Sequence, residues 1–317
     1  MSEEAILEAR YLTRKFKTAD SRVLTAVDNV NLKIYKGKTL GIVGESGCGK
    51  STLMRMLVQL DTPTEGQIIY RGKDITDSKG KSLRENHRRI QMVFQDPMAS
   101  FNPRMKVLDI ISEPLLNYKL IKKNERKNIA KKYLKMVDLP EEFMDKYPQN
   151  MSGGQRQRVG IARALTLEPE VILCDEATCS LDVSVQDHII KLLVKLQREK
   201  DIAMAFICHD VALVQSLAHK LAIMYLGNIV ELISGDKINK EAKHPYTKAL
   251  IGSIFDIGVD QNTQIETIES EAPSPLDLPQ GCSFQNRCPH CKEICTIKKP
   301  ELSKLKGEHY VACHLYG

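Results

Sequence analysis

The eight residues Gly44-Glu45-Ser46-Gly47-Cys48-Gly49-Lys50-Ser51 constrain this chain more than any other stretch, because they read G-x-x-x-x-G-K-[ST]. Where it joins a strand to a helix, that spacing is a phosphate-binding loop. The apolar run from Leu40 to Val43 reads as a short buried strand, and Thr52 to Leu60 carries helix-forming residues at apolar spacing. Glycines at 44, 47 and 49 let successive backbone N–H groups turn inward on a phosphate. The helix that follows adds its own unpaired N–H groups and the positive end of its dipole. In such a loop Lys50 reaches the β- and γ-phosphates as a point charge, and the Ser51 hydroxyl holds Mg²⁺. Thr52 continues the same turn.

Other stretches fit the frame that this loop sets. Ile6 to Phe16 and Val23 to Ile34 alternate apolar and polar side chains about a polar turn, which predicts an antiparallel pair. Phe16 offers an aromatic face for a nucleobase, although a strand residue in a core reads the same way. Gln67 to Tyr70 and Ile90 to Phe94 are further short strands, and the second runs into Gln95-Asp96-Pro97, where a polar Gln can reach a metal-bound water. From Val107 to Tyr147 the pattern turns helical, with Ile129, Tyr133, Leu134 and Val137 on one face and basic residues on the solvated one. Ser152-Gly153-Gly154-Gln155 places an N-cap serine at a glycine-rich helix start, a second grip for phosphate. Val171 to Asp175 is an apolar strand ending in Asp175-Glu176, where a Mg²⁺-binding Asp and a general base for an attacking water are expected. Ala203 to Cys208 is a buried strand that ends in His209, which can contact the γ-phosphate or orient Glu176.

Composition narrows the partners. The chain has 317 residues, 42% hydrophobic and 27% charged, and a net charge of +6. Its basic residues are scattered among acids and form no stripe interleaved with aromatics, so nucleic acid is not the expected partner. No apolar run approaches the ~18 to 20 residues that cross a bilayer. Met1-Ser2-Glu3-Glu4 lacks the layout of a secretion signal, so a cytosolic chain is expected unless a partner carries it to a membrane. Five of the nine cysteines crowd the tail (Cys282, Cys288, Cys291, Cys295 and Cys313), which in a cytosolic chain points to metal before disulfides.

Taken together, these residues resemble the nucleotide-binding subunit of an ATP-binding-cassette transporter, over Ile6 to about Leu250. The resemblance implies a P-loop (RecA-like) α/β core with an antiparallel β subdomain, a helical insertion subdomain at about 96–155, and a small Cys-rich C-terminal module. Residues 1–255 would form the nucleotide-binding domain, 256–280 a Pro-bearing linker and 281–317 the module. Phe16 matches the adenine-stacking aromatic, Gly44 to Ser51 the Walker A loop, and Gln95 the Q-loop. Ser152 to Gln155 match the signature, Asp175 and Glu176 the Walker B pair, Asp182 the D-loop and His209 the switch histidine. ATP would be the substrate and Mg²⁺ its ion, held by Ser51, Gln95 and Asp175. Catalysis would fall to Glu176, His209 and Gln95. Met151, Ala177 and Cys179-Ser180 depart from the usual Leu, Pro and Ser-Ala, but no charged or ligating group is lost.

The tail refines the resemblance. His244-Pro245-Tyr246-Thr247-Lys248-Ala249-Leu250, Gly281-Cys282-Ser283-Phe284, Arg287-Cys288-Pro289 and Val311-Ala312-Cys313-His314 look like the oligopeptide and dipeptide importers. That subgroup implies a second ATPase subunit, usually a different chain but in some cases a second copy. It also implies two polytopic permease subunits, an external peptide-binding protein, and a peripheral place on the cytoplasmic face of the cell membrane. It further implies a [4Fe–4S] cluster on Cys282, Cys288, Cys295 and Cys313, with Cys291 as an alternative ligand. A Zn²⁺ site using His290, His309 or His314 with some of the thiolates is the physical rival, and a small, reduced, cysteine-bearing fold with no metal is the third reading. A soluble ABC-type ATPase acting on nucleic acid or ribosomes, or a metal- or redox-sensing ATPase, are the other readings. DNA-repair cassettes need a long coiled coil between Lys50 and Asp175, and this stretch is too short for one.

Overall fold

Alternating apolar side chains at the start of the chain produce two long neighbouring strands, β1 (Ala5–Lys17) and β2 (Val23–Tyr35), as the period-2 pattern predicts. The computed structural model describes residues 4–178, 181–208, 210–252 and 273–316. Next come β3 (Thr39–Val43), α1 (Lys50–Leu57), β4 (Glu65–Tyr70) and β5 (Lys73–Asp74). Strands β2, β1, β4 and β5 form one sheet in that order, with β1 antiparallel to β4 and Leu7 opposite Tyr70. Leu7, Leu12 and Val27 lose all exposure on its inner face. By contrast, β3 is buried at every residue, as expected of a strand covered on both faces.

The chain divides into two compact bodies, one of Met1–Ile34, Thr39–Asp77 and Phe206–Gly317, the other of Tyr35–Lys38 and Ser78–Ala205. The second body holds α2 (Gly80–Arg89), β6 (Ile90–Val93), α3 (Val107–Asn117), α4 (Arg126–Met136) and α5 (Gly153–Leu165). It continues with β7 (Val171–Asp175), α6 (Val183–Lys200) and the start of β8 (Ala203–Ile207). The helical stretch expected from Val107 to Tyr147 is thus two helices, with a 3₁₀ turn at Glu141–Asp145 after the second. Helices α3, α4 and α5 pack on one another through side chains such as Ile110, Ile111, Leu134 and Ile161, all essentially without exposure. Strands β6 and β7 pair in parallel, Ile90 with Val171 and Val93 with Cys174, and β8 lies next to β7.

In the first body the chain resumes as α7 (Val211–Leu217), β9 (Lys220–Tyr225), β10 (Asn228–Ser234), α8 (Ile238–Glu241) and α9 (Pro245–Gly252). The tail contributes α10 (Glu293–Ile297), β11 (Ser303–Lys304) and β12 (Tyr310–Val311). Strand β9 runs parallel to β3, with Leu40 opposite Lys220, and the order continues β9-β10-β12-β11. Through the pairing of Glu231 with Val311, the tail therefore extends the sheet that carries the phosphate loop. Among the described residues, no helix is long and apolar enough to cross a membrane.

Candidate functional site

The loop between β3 and α1 is shaped by close backbone approaches. Gly49 caps α1 at φ 104°, and a Cβ there would lie 2.0 Å from the Ala26 carbonyl oxygen. A Cβ on Gly44 would lie 2.1 Å from the carbonyl oxygen of Met224, so neither position admits a side chain. Helix α1 begins at Lys50, two residues earlier than its apolar spacing indicates, because the glycine turn itself starts the helix. Ser46 and Gly47 are exposed, and a Cβ on Gly47 would meet nothing within 4 Å, so the outer side of the loop has room for a ligand.

Lys50 lies against the loop and keeps only 4% of its surface. Its Nζ donates to the carbonyl oxygens of Gly44 and Glu45, each at 2.8 Å, and sits 3.7 Å from Cys48 Sγ. Burial raises the pKa of the Cys48 thiol, which keeps it protonated and neutral beside that ammonium. The Ser51 hydroxyl is at the exposed start of α1, followed by the half-buried Thr52. Phe16 is half-buried near the end of β1, and the Arg14 guanidinium lies over its ring at 4.6 Å from the centroid. A stacking base would use the other face of Phe16 or displace Arg14.

The second body carries Ser152 to Gln155, Gln95, Asp175, Glu176 and Asp182. Ser152 caps this helix by a capping box: its hydroxyl accepts from the Gln155 N–H at 3.3 Å, and Gln155 Oε1 accepts from the Ser152 N–H at 3.0 Å. Gly154 allows a tight approach, since a Cβ there would lie 2.3 Å from Val185 Cγ1 near the start of α6. A Cβ on Gly153 would lie 3.1 Å from Leu181. The signature residues and the exposed Asp182, which N-caps α6, are thus neighbours. One turn into α5, Gln157 Nε2 donates to the Phe94 carbonyl at 3.3 Å, fixing the residue before Gln95. Gln95 itself is exposed, ahead of a 3₁₀ turn (Pro97–Ser100) that Asp96 caps through the Met98 N–H at 2.9 Å.

Asp175 ends β7 half-buried, as the sequence predicts, and Glu176 follows it half-buried at φ 47°. A non-glycine residue in the left-handed region is held there by its surroundings, and such positions cluster at functional sites. Behind them Cys174 is fully buried, its thiol pushed up to about 12 by desolvation, and is chemically silent. His209, Cys179 and Ser180 lie outside the described residues, as do residues 253–272, which include most of the linker.

In the tail, Cys282, Cys288 and Cys313 are half-buried, Cys295 is buried and Cys291 is exposed. Burial pushes the Cys282 thiol up to about 11, and Cys295, Cys313 and Cys288 raise it further by their charge. Cys288 and Cys313 are likewise raised by burial first and by neighbouring cysteines next. Raised in this way, the Cys282, Cys288 and Cys313 thiols stay protonated near neutral pH. Among the described residues, no three His, Cys, Asp or Glu side chains converge closely enough to hold a metal ion.

Two residues of the tail motifs reach the phosphate loop, a role their letters in the sequence do not disclose. Arg287 Nη1 donates to Glu45 Oε2 at 2.9 Å, and the Glu45 N–H donates to the Tyr246 hydroxyl at 2.9 Å.

Comparison with known proteins accords with this geometry. The ABC transporter family profile matches residues 27–179, and the profile for the oligopeptide/dipeptide transporter C-terminal region matches residues 230–295. The oligopeptide transport ATP-binding protein OppF of Haemophilus influenzae is 42% identical, over 98% of this chain and 97% of its own. Oligopeptide transport ATP-binding protein AppF of Bacillus subtilis is 43% identical, over 99% and 98%. Among solved structures, a dimeric ATP-binding cassette in a post-hydrolysis state with ADP and Pi aligns with a TM-score of 0.66 at 31% identity, covering 72% of this chain and 98% of that one. CbiO1 of Clostridium perfringens aligns with a TM-score of 0.67 at 27% identity, covering 81% and 96%. The chain has the ABC ATPase fold and belongs to the ABC transporter family, in the branch that carries the oligopeptide/dipeptide transporter C-terminal region.

Proposed function

We propose that this chain hydrolyses ATP to power the import of oligopeptides or dipeptides across the cell membrane, as the nucleotide-binding subunit of an ABC importer. The observation that carries the ATPase reading is Lys50, a buried cation held 2.8 Å from two loop carbonyls. Those carbonyls orient the ammonium but carry no formal charge, which leaves its own charge for an anion. Peptide as cargo is supported by the names of the relatives and by the C-terminal region, and these favour import over a soluble role on nucleic acid or ribosomes.

The roles follow residue by residue. Phe16 stacks on adenine. Gly44 through Thr52 cradle the phosphates, Lys50 neutralises them, and Ser152 to Gln155 grip the γ-phosphate of an ATP bound by a second ATPase subunit. Ser51, Gln95 and Asp175 would hold Mg²⁺, which would spread the charge that develops on the phosphates. Glu176 takes the proton of the attacking water, His209 orients it, and Asp182 links the subunits. Two permease subunits and an external peptide-binding protein complete the assembly, at which this chain sits peripherally on the cytoplasmic face. Residues 281–317 would form a Cys-rich module on which Cys282, Cys288, Cys295 and Cys313 would hold a [4Fe–4S] cluster. What supports that assignment is the soft character of four thiol donors, the ligand set such a cluster takes.

Lys50→Ala tests the central claim. Loss of MgATP binding by about 10²-fold or more is expected; retained affinity would sink the loop reading. For the tail, iron and acid-labile sulfide are measured on protein purified without air. Matching iron and sulfide that vanish in Cys282→Ser support the cluster, and zinc or no metal removes it.

A further inference from the structure

Arg287 belongs to the tail, yet its guanidinium is committed to the phosphate loop. Besides the 2.9 Å bond to Glu45 Oε2, Nη1 donates to the Tyr225 hydroxyl at 3.2 Å. The side chain keeps 6% of its surface and faces the rings of Tyr225 and Phe284, 5.7 and 6.0 Å from their centroids. An arginine so far removed from water is held by its partner, unlike a mobile surface pair.

The aromatic residues around it leave little slack. Tyr225 packs on Tyr246 at 4.6 Å between centroids, and Phe284 lies 5.3 Å from Tyr225 and 5.5 Å from Tyr246. Glu45 is therefore gripped at its carboxylate by Arg287 and at its N–H by Tyr246. The carbonyl of the same residue accepts one of the two hydrogen bonds that aim Lys50. An unbroken set of contacts thus runs from the tail to the phosphate-binding ammonium.

We infer that Arg287 is a positioning residue for the phosphate loop, and that through its ion pair with Glu45 the tail sets the affinity for MgATP. The inference rests on the reading that this loop binds ATP. A loop with glycines at 44, 47 and 49 has much backbone freedom to lose on binding, and a clamp on Glu45 removes part of that cost in advance. Arg287 touches Glu45 and reaches the reacting groups only through it. Its loss should therefore raise KM and leave kcat nearly unchanged.

The test uses the full chain, a fluorescent ATP analogue with Mg²⁺, and steady-state hydrolysis. Arg287→Ala is expected to weaken binding and raise KM about tenfold with kcat within about twofold. Arg287→Lys, which keeps the charge, recovers most of the affinity. Glu45→Gln weakens binding to a similar degree, and the double variant Arg287→Ala, Glu45→Gln is no weaker than either alone, because both break one contact. Backbone amides of residues 44 to 49 exchange faster in each of these variants than in the parent. If Arg287→Ala does not fold, Arg287→Lys and Glu45→Gln carry the measurement. Unchanged affinity, a loss confined to kcat, or losses that multiply in the double variant would overturn the clamp. Lys50→Ala separates the two levels: if it still binds MgATP the nucleotide reading falls. If it loses binding while Arg287→Ala and Glu45→Gln behave like the parent, only the clamp falls.

Discussion

Nε2 of His309 lies 2.7 Å from Oε1 of Glu231, although 78 positions separate the two residues in the sequence. The Glu231 side chain is fully shielded from solvent and also accepts the backbone N–H groups of Lys243 and His244, at 2.8 and 3.0 Å. One carboxylate therefore joins β10, the turn before α9 and the segment ahead of β12.

His309→Ala should destabilise the chain by about 1–3 kcal/mol, the cost of leaving part of a buried acceptor without its donor. Urea unfolding measures it. A loss below about 0.5 kcal/mol would mean that another donor or a water takes the place of the imidazole.

Acid should weaken the fold through His244. Burial pushes this imidazole down to about 3, and its Nδ1 accepts the Tyr246 N–H at 3.1 Å. The folded chain keeps it neutral while the unfolded chain protonates it below about 6.5. Its stabilising contribution is complete above that pH and fades as pH falls toward 3, by up to about 1.4 kcal/mol per unit. Unfolding curves from pH 7 to 5 check this, and His244→Gln should flatten them; an unchanged slope would refute the assignment.

Gly154→Ala should cost about 1–3 kcal/mol, because the new methyl meets Val185 Cγ1 at 2.3 Å and a β-branched side chain cannot swing away. Adding Val185→Ala opens the space. If the double variant is no more stable than Gly154→Ala alone, the clash is not the cause.

Glu176→Gln should keep MgATP affinity within about twofold and cut kcat by about 10² to 10⁴, the usual contribution of a general base. Single-turnover hydrolysis with bound nucleotide reads the chemical step directly. Near-normal turnover would assign the proton transfer elsewhere.

Local chemistry was legible in the letters. The phosphate loop, the N-cap at Ser152, and the strand ending in Asp175 each depend on residues a few positions apart, so spacing alone carries them. Two-residue strands such as β11 and β12 have too few positions to show a period, and the tail's place beside β10 was therefore hidden. The clamp was equally hidden, because Glu45 is one of the variable letters of the loop and Arg287 looks like part of a cysteine motif. Only the fold puts them in contact. For the cysteines, sequence spacing offered candidate donors but gave no distances between sulfurs.

Glu45 and Arg287 are separated by 242 residues, so on the ribosome the loop is made long before the arginine that fastens it. At about 5–20 residues per second, the nascent chain carries an unfastened loop for roughly 12–50 seconds. Tight capture of cellular ATP thereby waits until Arg287 has been made, and a chain that stops short of it gains little folding help from the nucleotide.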